Sequence, residues 1–456
     1  MVAVGQKYGN VWEFGEHAGI NFNSCHPVAI TNGNNPGFEG CGSISDTSGQ
    51  LLFYTNSDTV WNKLNQFMPN GNLVASYGTL SQVIIFRKPL SNSLYYIVTT
   101  KIQAMGTLSL QYHIVDMSLN SGLGGIASKN NVITTTNITE QVSATMNSNG
   151  TDIWLMVHEY ATNHFMTYIV TSAGISLVPI ISAVGPVHIA CTSNINARGE
   201  IKFSPDASKI AFNANGVGGN NPSNILTLFD FDNSSGIVSN PLNLPFSRGD
   251  WGLSFSPDNS KLYGTTWKAF NFGLNDYNYL YQFDLSSGVP ATIINSKQIL
   301  DSILPPISYG DLKLGPDGKI YVARYYSYYL GVINFPDLAG SACNYDSNGV
   351  YLGGKRCRYG LNNYIEYNNY CNSTSIAYLN EYKSSINIFP NPGNGEINIT
   401  STSIIDEIVI RNVLGQVIYK ATPNEKNMEL KVDIDGIYCV SVRSEKGVIT
   451  KKIIVQ

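Results

Sequence analysis

Three stretches of this chain carry the same pattern: Ile201–Phe212 (IKFSPDASKIAF), Leu253–Tyr263 (LSFSPDNSKLY) and Leu312–Val322 (LKLGPDGKIYV). Each reads as an alternating strand, a Pro-Asp turn and a second alternating strand. Proline presets φ at the first central turn position, and the Asp side chain can accept from backbone amides just ahead of it. The apolar period is two, not 3.6, so strands are expected and no helix competes. Looser copies are Gly42–Tyr54, Val83–Tyr96 and Val142–Trp154. Successive copies lie roughly 45–60 residues apart, room for the four short antiparallel strands of one propeller blade. A third strand follows in most copies, as in Leu226–Phe231 and Tyr279–Asp284.

Six copies are visible, and the two ends suggest another blade. Gly360–Tyr367 reads as one strand, while Val11–Phe14, Ala18–Phe22 and Pro27–Ile30 read as three more. Pairing Tyr364–Tyr367 with Val11–Phe14 would close the ring and remove its exposed edges. The expected fold is therefore all-β: a β-propeller of seven blades, with six the alternative, over residues 1–375.

Composition agrees with an exported β protein. Charged residues make up 13% of the 456 and hydrophobic ones 43%, with 28 Tyr supplying part of the remaining polarity. Soluble proteins ordinarily carry about a quarter charged residues. A net charge of −4 without a basic cluster argues against nucleic acid as a partner. No apolar run is long enough to cross a bilayer. The start, Met1-Val-Ala-Val-Gly-Gln6, lacks a secretory signal, which we read as one already removed. The seven cysteines lack zinc-site spacings. Cys343, Cys357 and Cys371 are close enough in sequence for one disulfide among them, and Cys439, in an apolar strand, is expected to stay unpaired.

After a linker at 376–383 the blade pattern gives way to another. Ile386–Ile399 is a strand, a Pro-rich turn and a strand; Ile408–Tyr419 is a hairpin turning at Leu414-Gly415; Val432–Val442 and Gly447–Val455 follow. Roughly seven short strands over 384–456 make a small antiparallel, Ig-like β-sandwich.

The order Phe389-Pro390-Asn391-Pro392, Val413-Leu414-Gly415, Gly436-Ile437-Tyr438, then Lys451-Lys452 before a terminal apolar strand resembles the type A sorting domain of the type IX secretion system of Bacteroidota. That resemblance implies passage through the periplasm, then export through an outer-membrane translocon. It implies a shuttle barrel protein that reads residues 384–456 and a fate at the cell surface or in the medium. Cys439 departs from the family, where an apolar or aromatic residue is expected. The stretches Val11–Phe22, Glu39–Asp46, Leu51–Thr55, Val60–Asn62, Asp152–Glu159 and Gly360–Tyr364 resemble propeller regions of gliding-motility-associated surface proteins, over most of residues 9–370.

Catalytic signatures are weak. His158-Glu159 with His164 lacks the i, i+4 helical spacing of a zinc protease. Asp46, Asp206, Asp258 and Asp317 recur at the same point of each repeat, as turn-capping residues do. No catalytic residue, metal site or cofactor is assigned. Aromatic residues after second strands stand out instead: Trp61, Trp267 with Phe270 and Phe272, Tyr277 with Tyr279, and Tyr325, Tyr326, Tyr328 and Tyr329. Flat rings among Asn side chains suit stacking on sugars or gripping a protein segment, whereas packing between blades is the alternative use of such rings. Trp61, Trp267, Tyr325, Tyr326, Tyr328 and Tyr329 are the candidate contacts for an unknown glycan or protein. The function expected is surface binding or adhesion. A secreted carbohydrate-active enzyme and a structural subunit of a surface assembly are the alternatives.

Overall fold

The computed structural model describes residues 7–24, 26–37, 39–73, 83–102, 107–187, 198–214, 225–245, 250–266, 277–366, 387–412, 416–444 and 447–456. The chain divides into two compact units, Met1–Cys371 and Asn372–Gln456.

In the first unit every repeated hairpin forms: Ile201–Phe203 pairs with Lys209–Ala214, Asp250–Phe255 with Lys261–Thr266, and Tyr309–Leu314 with Ile320–Arg324. The turn aspartates hold them. Asp206 accepts from the Ser208 amide at 3.0 Å, Asp258 from Ser260 at 2.9 Å and Asp46 from Ser48 at 2.8 Å. Seven antiparallel sheets result among the described residues. The first holds Val11–Phe14, Ala18–Asn21 and Val28–Ile30, and the fourth has five strands; the other five have four each. Among the described residues one short α-helix, Pro290–Asn295, interrupts the β structure.

Strands within a sheet such as Ile153–Glu159 are buried along almost their whole length, so both faces of the sheet need cover. Neighbouring sheets supply it. Ile84, Val98 and Leu110 of the third sheet pack on Leu155, Met166 and Tyr168 of the fourth. The first strands of consecutive sheets touch one another from the first sheet to the seventh. The seventh returns to the first through Tyr321, Leu330 and Val332 against Trp12, Phe14 and Phe22. This closed arrangement is a β-propeller.

Closure differs from the sequence expectation. Val11–Phe14 pairs only with Ala18–Asn21 among the described residues, and Tyr364 bridges Ile85 of the third sheet instead. Tyr367 lies outside the described residues. The stretch after the last sheet occupies the axis of the ring. Asn362 bridges Cys41, its side chain accepts from the Ser43 amide, and Asn363 donates to the Val142 carbonyl. Tyr364 donates its hydroxyl to the Leu314 carbonyl at 3.1 Å. Edges are thus covered by face packing and by this axial segment, not by a blade shared between the chain's ends.

The expected disulfide is not made between Cys343 and Cys357. Both are free, and they are buried in different clusters, Cys343 beside Tyr263 and Leu312, Cys357 beside Trp12 and Leu361. Cys371 lies outside the described residues. Cys439 is also free.

The second unit has six strands among its described residues. Glu396–Asn412 does the job of two. Its first half pairs with Asn387–Phe389 and Glu425–Lys431, its second with Val417–Ala421 and Gly436–Ser444. Ile397, Ile399, Ile405, Ile408 and Ile410 of this strand share one core with Val440, Val442 and Ile453. The terminal strand Gly447–Val455 pairs with Gly436–Ser444 over its full length.

Candidate functional site

The structure sorts the candidate aromatic residues into three groups. Trp61 is packing: it is 7% exposed and stacks on Tyr54, ring centres 5.3 Å apart. Tyr329 leans on Tyr351 at 5.1 Å at the outer part of the seventh sheet. Trp267, Phe270 and Phe272 lie outside the described residues. Tyr325, Tyr326 and Tyr328 come together in the turn between Ile320–Arg324 and Tyr329–Ile333.

That turn is built unusually. Tyr326 has φ of +64°, a left-handed backbone that bulky residues avoid. Its amide donates to the Cys357 carbonyl at 3.1 Å, which ties the turn to the chain entering the axial segment. Two guanidinium groups from that entering chain lie over the rings. Arg356 sits 5.2 Å from both Tyr326 and Tyr328, and Arg358 sits 4.8 Å from Tyr326 and 5.4 Å from Tyr325. Arg356 also donates to the Tyr328 hydroxyl at 3.1 Å, and Arg358 pairs with Glu16. Tyr326 and Tyr328 nevertheless keep 42% of their surface exposed. Such a pairing of tyrosine and arginine is the composition that dominates binding hot spots.

From this patch a row of rings runs inward. Tyr325 stacks on Tyr359 at 4.2 Å with planes 6° apart, and Tyr359 lies 6.1 Å from Trp251. The row ends at a small depression beside the axial segment, lined by Glu39, Cys41, Gly199, Glu200, Trp251, Asp311, Asn363 and the start of that segment, Tyr359 to Leu361.

The carboxyl groups there are unequal. Lys202 lies 3.5 Å from Glu200 and 3.4 Å from Asp311. Glu200 also accepts from the Leu253 amide, and Asp311 from the Leu361 amide. Burial works against the Lys202 charge, but Asp311 and Glu200 outweigh it and hold the ammonium above its ordinary range. Burial, followed by the charge of Asp311, raises Glu200 well above the usual carboxyl range. Deeper in, Lys313 pairs with Glu366 at 2.9 Å, and burial lowers its pKa. Glu39 is different: its Oε2 is buried with no hydrogen-bond partner among the described residues. Burial pushes this carboxyl up to about 8, with Arg198 opposing. Glu140 next to it gives one oxygen to the Gly199 amide, keeps the other unpartnered, and is likewise raised by burial and by Glu39. No group of three or more His, Cys, Asp or Glu side chains among the described residues is placed to hold a metal ion.

These acids escape a reading based on the repeats because they lie outside the repeated turns. Glu39, Glu200 and Asp311 sit just before or at the first strand of their sheets, each beside a glycine: Glu39-Gly40, Gly199-Glu200, Gly310-Asp311. That recurrence is the signal available in the sequence. Elsewhere, His158 is a core residue stacked on Phe212 at 4.6 Å, and His164 pairs with Glu159 at 2.6 Å.

In the second unit the motif residues converge on the terminal strand. Asn391 donates to the Lys452 carbonyl at 2.8 Å and accepts from the Ile454 amide at 2.9 Å, so its side chain imitates a neighbouring strand. Gly393 continues the imitation with backbone bonds to Ile454 and Gln456. Pro390 and Pro392 flank Asn391 in this turn, Phe389 is 48% exposed and Lys451 and Lys452 face solvent. Gly436 opens its strand, and the Tyr438 hydroxyl closes onto the Ile434 carbonyl at 2.7 Å. Gly415 lies outside the described residues.

Residues 387–456 match the family described as the secretion system C-terminal sorting domain, so the chain ends in a type IX sorting domain. No curated protein matches the sequence. Among solved structures, PorZ, described as an essential bacterial surface component of the type-IX secretion system of Porphyromonas gingivalis, is 10% identical with a TM-score of 0.32, covering 98% of this chain and 74% of that one. The Dos1 propeller is 7% identical with a TM-score of 0.37, covering 93% of each chain. A putative 6-phosphogluconolactonase from Bacteroides fragilis is 10% identical with a TM-score of 0.38, covering 84% of this chain and 94% of that one. The sorting domain implies export and a secreted or cell-surface fate. No helix among the described residues is long and apolar enough to cross a membrane.

Proposed function

We propose that this chain is a seven-bladed surface propeller that adheres to a glycan through the face that carries Tyr326 and Tyr328. In this reading an Ig-like sandwich at its end delivers it to an outer-membrane shuttle barrel and the type IX translocon. The observation that carries the glycan reading is the pair Tyr326 and Tyr328, exposed yet fixed under the Arg356 and Arg358 guanidinium groups. Sugar rings present flat C–H faces that stack on such rings, and preset side chains lose little entropy on binding. Guanidinium groups beside them offer planar donors to sugar hydroxyls or carboxylates.

A second reading, a hydrolase, draws on the acids at and beside the depression. It asks for two carboxyl groups free to act on a bond. Glu200 and Asp311 are committed to Lys202 and to backbone amides, which leaves the buried Glu39 and Glu140 as the acids such a reading would use.

Glycan-array screening of the full chain tests the proposal. At least one glycan class should bind, and replacing Tyr326 and Tyr328 together by Ala should weaken it by ten-fold or more while the melting temperature stays put. An array without hits, or a double variant that binds as before, would contradict it. Release of sugar fragments that stops on Glu39→Gln would favour the hydrolase.

A further inference from the structure

The chain leaving the seventh sheet concentrates positive charge in a protein whose net charge is −4: Lys355, Arg356 and Arg358 follow one another closely. The two arginines are not equivalent. Arg358 is committed, pairing with Glu16 and donating to the Tyr325 hydroxyl at 3.1 Å. Arg356 gives one N–H to the Tyr328 hydroxyl and makes no ion pair among the described residues. Glu16, a carboxylate whose charge reaches Arg356, is already taken by Arg358. A guanidinium carries five N–H donors in one plane, so most of those on Arg356 are left for a group from outside the chain. Its backbone is anchored. The Glu16 amide donates to the Arg356 carbonyl at 2.9 Å, and the next residue, Cys357, exchanges backbone bonds with Ser327 and Tyr326.

The rings around this cation are open. Its guanidinium lies 5.2 Å from the centres of Tyr326 and Tyr328, each 42% exposed. A third exposed ring, Tyr351, leans on Tyr329, and its neighbour Leu352 donates its amide to the Tyr328 carbonyl at 2.9 Å. An anchored guanidinium without a counter-charge, set among exposed rings, selects a ligand with flat C–H faces and a planar anionic group. A neutral sugar leaves the charge unanswered, and an acidic peptide lacks the stacking faces.

We propose that this patch recognises an acidic polysaccharide, with the carboxylate of a uronic acid residue on Arg356 and sugar rings lying on Tyr326, Tyr328 and Tyr351. The inference rests on the glycan reading and narrows it to a ligand class. The two carboxylate oxygens match two parallel N–H groups of the guanidinium, a geometry that an ammonium cannot reproduce. The patch faces solvent, so its attraction for an anion is screened by salt.

The test is calorimetric titration of the full chain. The probes are tetramers of galacturonic acid and of mannuronic acid, the carboxyl-reduced counterpart of each, a sulfated galactose tetramer and a glutamate tetrapeptide. At least one uronate tetramer should bind about ten-fold or more tightly than its reduced counterpart and than the peptide, and this preference should shrink in about 0.5 M salt. Arg356→Gln should bring the uronate down to the affinity of the reduced tetramer and leave the reduced tetramer's own affinity unchanged. Equal binding of uronate and reduced tetramers overturns the carboxylate assignment and leaves the glycan reading standing. Tighter binding of the sulfated tetramer, or equal binding of the peptide, overturns it as well. Binding of no probe overturns the uronate assignment, and the separate array result then decides the glycan reading. A uronate preference that survives Arg356→Gln also overturns the proposal. If that variant fails to fold, Arg356→Lys, which keeps the charge without the planar fork, should lose most of the preference; full retention there overturns the proposal.

Discussion

Gly360 shows how closely the axis of the ring is packed. A Cβ at this position would fall on the Glu39 backbone carbonyl, and one at Gly310 would meet the Tyr359 carbonyl. Neither neighbour is a side chain that could swing away. Gly360→Ala should therefore cost about 1–3 kcal/mol, the usual range for overpacking, seen as a lower urea midpoint of the propeller transition. An unchanged midpoint would mean that the axial segment is free to shift. The repeated aspartates were legible in the sequence because turn capping is local chemistry, settled within four residues. Trp61 was not: a ring after a second strand looks the same whether it faces a ligand or, as here, Tyr54. Glu39 was missed for the same reason, since its neighbours Glu140, Arg198 and Asp311 come from distant parts of the chain.

Strands and hairpins were readable because period-two patterns and turn residues act locally, whereas the destination of residues 359–366 depends on the finished ring. The same pattern that suggests a strand at Tyr364 serves equally for a segment that runs along the axis, bridging Cys41 and Ile85. In the second unit the Pro-Asn-Pro turn was recognisable as a motif, but its use was not. Asn391 covers the outer edge of the terminal strand, an edge that would otherwise offer unpaired backbone groups. Asn391→Ala removes two hydrogen bonds, each contributing about 0.5–1.5 kcal/mol. Hydrogen–deuterium exchange of the full chain should then quicken at residues 451–456 while the propeller strands stay protected. Equal exchange in both proteins would show that the clamp contributes nothing.

Across the whole molecule, buried carboxyl groups set how stability responds to pH. Burial raises Glu13 and Glu39 to about 8 and lifts Glu140 and Glu200 as well, so the folded chain keeps protons that the unfolded chain has released. For Glu13 and Glu39 the contribution is greatest below pH 4.5 and is lost as pH rises towards 8, at up to about 1.4 kcal/mol per pH unit for each group, and Glu140 and Glu200 act in the same direction. The turn residue Asp258 acts oppositely. Although partial burial opposes it, hydrogen bonds led by the Ser260 amide hold it near 2, so its contribution fades as pH falls below about 4. Thermal unfolding should be highest near pH 4 to 5 and decline on both sides; a melting temperature that climbs steadily from pH 5 to 8 would contradict this. The central claim concerns export, which joins the two units into one function. Cell fractionation of a chain lacking residues 447–456, expressed in a host with a type IX system, tests it most directly. The account predicts a folded propeller retained in the periplasm, and the same truncated chain at normal levels on the cell surface or in the medium would contradict it.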